Sequence, residues 1–221
     1  MIIKATNPKA ADIRGKIESY MKQQYMLVPI DEDGKILDAI QKFMVVTQQQ
    51  PITTRRIIHE AALTTLRVFP FKEITIGLKS PVDGLYRYEE IVGHSKTAEQ
   101  ALKKLAYTYE EFFSQKDYPA IRLSKFTELA LAEEQPFLEH EKDTYNRPIL
   151  LSETRNSIEK FVEGDYLDVY MYDSNEDMIG WIELGLTKDG RMPSIRIIKW
   201  LEFFASIISV ILQRVTDIKK A

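Results

Sequence analysis

The segment from Ile195 to Val215 constrains the fold of this chain more than any other. On a helical wheel at ~100° per residue, Lys199, Glu202, Ser206, Ser209, Gln213 and Asp217 share one narrow polar sector. Ile197, Ile198, Trp200, Leu201, Phe203, Phe204, Ile207, Ile208, Val210, Ile211, Leu212 and Val215 fill most of the rest. A helix lying on a single core needs an apolar stripe of only ~100° or somewhat more, and this one has roughly twice that. It is therefore expected to meet two partners: the sheet of its own domain, and either the N-terminal helices or a second subunit.

The stretch before it supplies that sheet. Leu167, Val169 and Met171 alternate with Tyr166, Asp168, Tyr170 and Tyr172, the two-residue period of a strand. Asp173 to Asp177 turns the chain, and Met178 to Leu186 returns. In the return strand Trp181 and Glu183 fall on one face, Ile182 and Leu184 on the other. Pro193-Ser194 then sets the start of the helix, with Ser194 as N-cap.

Upstream, Ala10 to Gln24 reads as a helix with Ile13, Ile17, Tyr20 and Met21 on one side. Asp31 to Gly34 reads as a turn. Its flanks form either a short hairpin or the start of a helix through Ile40, Phe43 and Met44, the helix being preferred. Gln48 to Pro51 is the expected boundary between an N-terminal helical extension, residues 1–51, and a main domain, residues 52–218. Thr53 or Thr54 caps the next helix, which Pro70 stops. Glu73–Lys79 and Leu85–Val92 read as a hairpin, and Ala120–Ala130 contains a third strand. Thr97-Ala98-Glu99-Gln100 and Thr108-Tyr109-Glu110-Glu111 have the form of capping boxes. Glu133 to Arg147 reads as irregular, and Ser152 to Phe161 as a short helix.

In this order the elements resemble a GAF domain over roughly Thr53 to Val215. The matching segments are Val68-Phe69-Pro70-Phe71-Lys72-Glu73-Ile74-Thr75-Ile76, the strand Met178-Ile179-Gly180-Trp181-Ile182, and the run from Gly190 through Pro193-Ser194 to Leu201-Glu202-Phe203-Phe204-Ala205. The resemblance implies an α+β fold. An antiparallel sheet of five or six strands carries the first and last helices on one face, and an irregular helical segment covers the other. It also implies a small ligand between sheet and cover, and terminal helices that bundle across a homodimer.

Composition removes several chemistries. With no cysteine among 221 residues, covalent bilin attachment and the thiolate-dependent activities of this fold are excluded. A net charge of −3 argues against a nucleic-acid binder, which needs a basic face, so Arg55-Arg56 reads as a solvated first turn. The longest uncharged apolar run, Phe203 to Leu212, is about half of the ~20 residues a bilayer span requires, and no signal-peptide core opens the chain. A soluble cytoplasmic protein is expected, with no membrane or nucleic-acid partner. Lys160-Phe161 and Asp165 sit where the cyclic-nucleotide-binding type carries part of its signature, but the Asn-Lys and Asp-Glu pairs are missing. His59, His94 and His140 match no metal spacing, and haem is not expected. Glu110-Glu111 and Glu133-Glu134 read as solvated faces rather than acid/base pairs.

The expected function is a non-catalytic regulatory sensor. It binds an unidentified small molecule and signals through its terminal helices to a protein partner. The alternative is a structural homodimerisation module with no ligand. Pocket residues are expected among Tyr107, Tyr109, Phe113, Phe126, Tyr145, Tyr170 and Trp181, with Arg122 and Arg147 supplying charge for an acidic ligand. Ile13, Ile17, Met21, Trp200, Phe203, Ile207, Val210 and Ile211 are expected at the dimer interface.

Overall fold

A computed structural model describes residues 8–27, 31–49, 51–136, 138–148 and 155–220, without the side chains of 8–11, 26, 27, 140 and 216–220. Two compact units divide the chain, residues 1–35 and 36–221. The first contains α1 (Pro8–Leu27). Ile13, Ile17, Tyr20 and Met21 are exposed on it, and Lys16–Asp12 and Lys22–Glu18 pair one turn apart along it.

Residues 31–34 start a helix instead of making a free turn. Asp31 accepts from the Gly34 amide at 2.8 Å and its carbonyl accepts from Lys35, so the acidic run caps α2 (Glu32–Thr47). Ile36, Ile40 and Phe43 of α2 are buried in the core of the second unit. That unit therefore begins at Ile36, ahead of the boundary expected at residue 51.

Its centre is a six-stranded sheet in the order β2-β1-β6-β5-β4-β3, with every pairing antiparallel. The strands are β1 (Phe71–Lys79), β2 (Tyr86–Val92), β3 (Ile121–Arg122), β4 (Thr127–Ala130), β5 (Tyr166–Tyr172) and β6 (Met178–Thr187). On one face lie α3 (Thr54–Val68), capped by Thr53, and α6 (Ile195–Lys220), capped by Ser194. There Ile74, Ile76, Leu167, Val169, Ile182 and Leu184 meet Ile57, Ala61, Leu201, Phe204 and Ile208 in one aliphatic core. Phe43 of α2 stands edge-on to Phe204 of α6 at 5.0 Å. Each such side chain contributes on the order of 2 kcal/mol by leaving water.

The other face carries α4 (Lys96–Leu102), α5 (Tyr109–Phe112) and a 3₁₀ turn, Glu139–Thr144. Thr108 makes the expected capping box with Glu111. The box expected at Thr97 does not form, because Ser95 takes the capping position two residues earlier and accepts from Ala98. The helix expected over 152–161 is not found at 155–161; residues 152–154 lie outside the description, as do 149–151. Residues 157–160 make a turn instead, with Lys160 donating to the Ser157 carbonyl, while Phe161 donates its amide to Gly190 and Met192 donates to Glu159. Among the described residues, no helix is long and apolar enough to cross a membrane.

The polar sector of α6 does not face water throughout. Glu202 is only 8% exposed, accepting from Thr127 of β4 at 2.9 Å and from Ser124. Ser209 is buried and donates to the Tyr172 carbonyl. This rotation puts Phe203 and Val210, 50% and 57% exposed, on the outer face.

Gly77 of β1 lies directly under the Trp181 ring of β6: a Cβ there would come within 2.0 Å of it. Replacing Gly77 with Ala is expected to destabilise the protein by ~1–3 kcal/mol, the cost of overpacking a filled site. Urea unfolding measures this, and an unchanged midpoint would contradict the packing described.

Candidate ligand-binding site

Strand register sets up the covered face. Thr75 of β1 is opposite Glu183 of β6, Glu183 is opposite Asp168 of β5, Asp168 is opposite Glu128 of β4, and Glu128 is opposite Arg122 of β3. Side chains alternate between faces along a strand, so three carboxylates stand side by side on the covered face. Directly opposed residues in antiparallel strands have Cβ atoms about 5 Å apart. One row further along, Glu73 is opposite Gly185. The missing side chain at Gly185 leaves room for Glu73, whose Oε2 would lie 2.9 Å from a Cβ there.

Neutral donors hold most of these acids. Tyr88 donates to Glu183 at 2.8 Å, Tyr170 to Glu128 at 2.9 Å, and Asn146 to Glu73 at 2.7 Å. Tyr107 and Tyr118 both donate to Glu141 of the 3₁₀ turn. Asp168 has no hydrogen-bond partner among the described residues; its Oδ1 is fully buried and unpaired, and the residue is 8% exposed.

Between this face and the cover is a cavity of about 140 Å³. Its floor is Glu73, Glu128, Tyr166, Asp168, Tyr170 and Glu183; its roof includes Leu102, Tyr107, Phe112, Tyr118 and Glu141. His94 lines one side, and burial lowers its pKa. No cluster of His, Asp or Glu with metal-holding geometry occurs among the described residues.

Three of the nine expected pocket residues, Tyr107, Tyr145 and Tyr170, line this cavity; the other six do not. Trp181 is fully buried against Tyr88 and Phe112 and fills its own site. Tyr109 is 51% exposed, and Phe113 packs between Tyr109 and Tyr170. Phe126 packs on Tyr172. The two arginines were expected to offer charge to a ligand, but each is matched to an acid. Arg147 grips Glu163 with Nε and Nη2 at 3.1 and 2.8 Å, and Arg122 approaches Glu128 at 3.6 Å while bonding the Ser124 carbonyl.

Phe161 and Asp165 serve the framework. Phe161 is buried edge-on to Phe71, and Asp165 binds Arg155 and the amides of Ala132 and Val162. Glu133 pairs with Arg155, and Glu110 and Glu111 are exposed. The His140 side chain and Phe137 lie outside the described residues. The acids that matter, Glu128, Asp168 and Glu183, were visible in sequence as charges in mid-strand, on the same face as Tyr166, Tyr170 and Trp181. Their convergence depends on register.

No family model and no curated protein matches the sequence. Solved structures do. The GAF domain of a phosphoenolpyruvate-protein phosphotransferase from Coxiella burnetii superposes with a TM-score of 0.55 at 9% identity, covering 85% of this chain and 98% of that one. The chain carries a GAF-like fold. A GAF domain/HD domain protein from Geobacter sulfurreducens matches at TM-score 0.53 and 9% identity, over 74% of this chain and 94% of that one. The GAF domain of an Acinetobacter phosphoenolpyruvate-protein phosphotransferase matches at 0.52 and 11%, over 82% and 94%.

In the GAF-like sheet Asp168 and Glu183 of the acid row hold protons tightly. Burial pushes Asp168 well above the carboxylate range, and the charges of Glu183 and Glu128 add to this. Burial also raises Glu183, to about 7, against the opposing bond from Tyr88 and with Glu141 and Glu73 facing it. Glu73 and Glu163 are raised by burial as well. A carboxyl whose folded pKa is raised binds more protons folded than unfolded, so stability falls as pH rises from the ordinary carboxylate range to the folded value. His94, depressed by burial, acts oppositely below its ordinary value of 6.5. From pH 6.5 to 8 the melting midpoint is therefore expected to fall, and Glu183→Gln to flatten that slope and raise the midpoint at pH 8. Circular dichroism melts test this; a flat or rising wild-type midpoint would contradict it.

Proposed function

We propose that this GAF-like domain is a non-catalytic regulatory module that binds a small molecule in the covered cavity and passes the change to its terminal helices. The observation that carries the reading is the cavity itself. A purely structural domain gains stability by filling such space with side chains, whereas here about 140 Å³ lies open beneath Tyr107 and Phe112, walled by polar groups that can orient a ligand.

A physical link to α6 supports the second half of the reading. Glu128 lines the cavity while its neighbour Thr127, pointing to the opposite face, donates to Glu202 of α6. A shift of β4 at the cavity would be felt at that buried bond. α6 also presents Trp200, Phe203, Ile207 and Val210 at i, i+3, i+7 and i+10, the spacing of a helix–helix seam. Phe203 and Val210 are exposed there, and Trp200 stands edge-on to Phe203 at 5.9 Å. With Ile211 half-buried beside them, this stripe is the proposed homodimer seam. Ile13, Ile17 and Met21 are a second exposed row on α1, and a protein signalling partner is the other proposed user of such surfaces.

Native mass spectrometry of protein purified from its own cells tests the ligand reading. A retained small molecule is expected, and release of a bare chain that no small molecule stabilises would favour the structural alternative. Sedimentation tests the seam. A dimer is expected at tens of micromolar, and Phe203→Glu with Val210→Glu should give a folded monomer. A monomeric wild type would remove the seam.

A further inference from the structure

We propose that the ligand of the covered cavity is a small organic cation, a protonated amine or guanidinium, with Asp168 as its counter-ion. This rests on the reading of the cavity as a ligand site and goes on to name the chemical class.

Among the described residues the walls carry eight carboxylates, those of Glu73, Asp117, Glu128, Glu141, Glu163, Asp165, Asp168 and Glu183, against a single imidazole and no lysine or arginine. Three of the eight are matched from outside the cavity, Glu163 by Arg147, Asp165 by Arg155 and Glu128 by Arg122. Arg147 and Lys72 act on Glu73 electrostatically, whereas Asp168 and Glu183 make no ion pair with a cation among the described residues. Glu73 and Glu183 at least accept one neutral hydrogen bond each. Among the described residues the Asp168 carboxyl accepts none, although a buried polar atom left unpaired costs ~1–3 kcal/mol. Its place at the middle of the acid row, on the cavity floor, makes it the group a ligand would satisfy.

The chemistry needed is that of a donor with positive charge. The tyrosine hydroxyls nearest the row are already spent: Tyr88, Tyr107 and Tyr170 donate to Glu183, Glu141 and Glu128. What they leave for a ligand are ring faces and carboxylate oxygens. Aromatic faces attract cations, an ammonium brings three donors and a guanidinium five, and neither brings an acceptor that would go unmatched. An anion would add to the repulsion already present among Asp168, Glu183 and Glu128. A bare metal ion would need three or more ligands in reach of one point, a cluster not found among the described residues. A cavity of roughly 150 Å³ accepts a benzene-sized molecule, which sets the ligand at about six to ten non-hydrogen atoms.

Binding of a cation would convert Asp168 and Glu183 from their partly protonated state to their ionised state, so protons leave as the ligand enters and affinity rises with pH. The groups that face Asp168 and Glu183 are Glu73 from β1, Tyr88 from β2, Glu128 and Tyr170 from β4 and β5, and Tyr107 and Glu141 from the cover.

The test is calorimetric titration and thermal shift of the full chain with benzylamine and 1,4-diaminobutane, beside benzyl alcohol, 1,4-butanediol and benzoate, at matched ionic strength. At least one amine is expected to raise the melting midpoint by several degrees in a saturable way, to bind at least tenfold more tightly at pH 8 than at pH 6, and to release protons in buffers of differing ionisation enthalpy. Asp168→Asn should lose at least tenfold in amine affinity while melting no lower than wild type at pH 8. If that variant does not fold, Glu183→Gln is read for the same loss. Tighter binding of benzoate or of either alcohol would overturn the cationic class while leaving the cavity a ligand site. Amine binding indifferent to pH and to both variants would overturn the counter-ion assignment. If no probe binds, the molecule retained in native mass spectrometry decides: a cation supports the class, an anion or neutral molecule overturns it, and no molecule at all removes the ligand reading together with this one.

Discussion

Asp168 faces Glu183 across the β5–β6 register, and the covered side of the sheet is arranged around that opposition. Two carboxylates on directly opposed strand positions in a buried site cannot both ionise without a large penalty. The surroundings answer in layers. Tyrosine hydroxyls fix Glu183 and Glu128, arginines neutralise the acids at the rim, and burial keeps protons on the centre. The cover cannot close down as a dry aliphatic layer would, because it meets a polar floor.

The opposite side of the same strands is chemically plain. Leu167, Val169 and Met171 alternate with Tyr166, Asp168 and Tyr170 along β5. One strand thus builds an aliphatic core under α3 and α6 and an acidic cavity under α4 and α5. This division lets a domain keep a strained site: the stability that the acid row costs is offset by close packing of Ile57, Ile76, Ile182 and Phe204 behind it. The bond from Thr127 to Glu202 is one of the few polar connections that join the helix side to the strand edge of the cavity.

Much of the architecture was legible because it follows from period and punctuation. The alternation in β5 and β6, the Thr108 capping box and the stop at Pro70 are local signals, and each formed as read. The errors have physical causes as well. Asp31 to Gly34 has turn composition, yet the same residues cap a helix when apolar residues at Ile36, Ile40 and Phe43 have a core to enter. The stretch before β5 is tied to the loop before α6 by bonds from Phe161 to Gly190 and from Met192 to Glu159, which no local propensity reveals. For the site, aromatic residues and arginines were visible, but not what each would meet. Trp181 turned to Gly77, and Arg122 and Arg147 turned to Glu128 and Glu163. The polarity of the cavity was the reverse of that expected, because register, not composition, decides which acids converge.

Burial and their mutual repulsion keep Asp168 and Glu183 partly protonated in a site facing the cavity. Carbon-detected NMR titration of the side-chain carboxyls in the ligand-free protein tests it most directly. The Glu183 Cδ resonance is expected to titrate near neutrality, and Asp168 Cγ to stay in its protonated position well above the ordinary carboxylate range. Ordinary titration of both groups near pH 4 would contradict it.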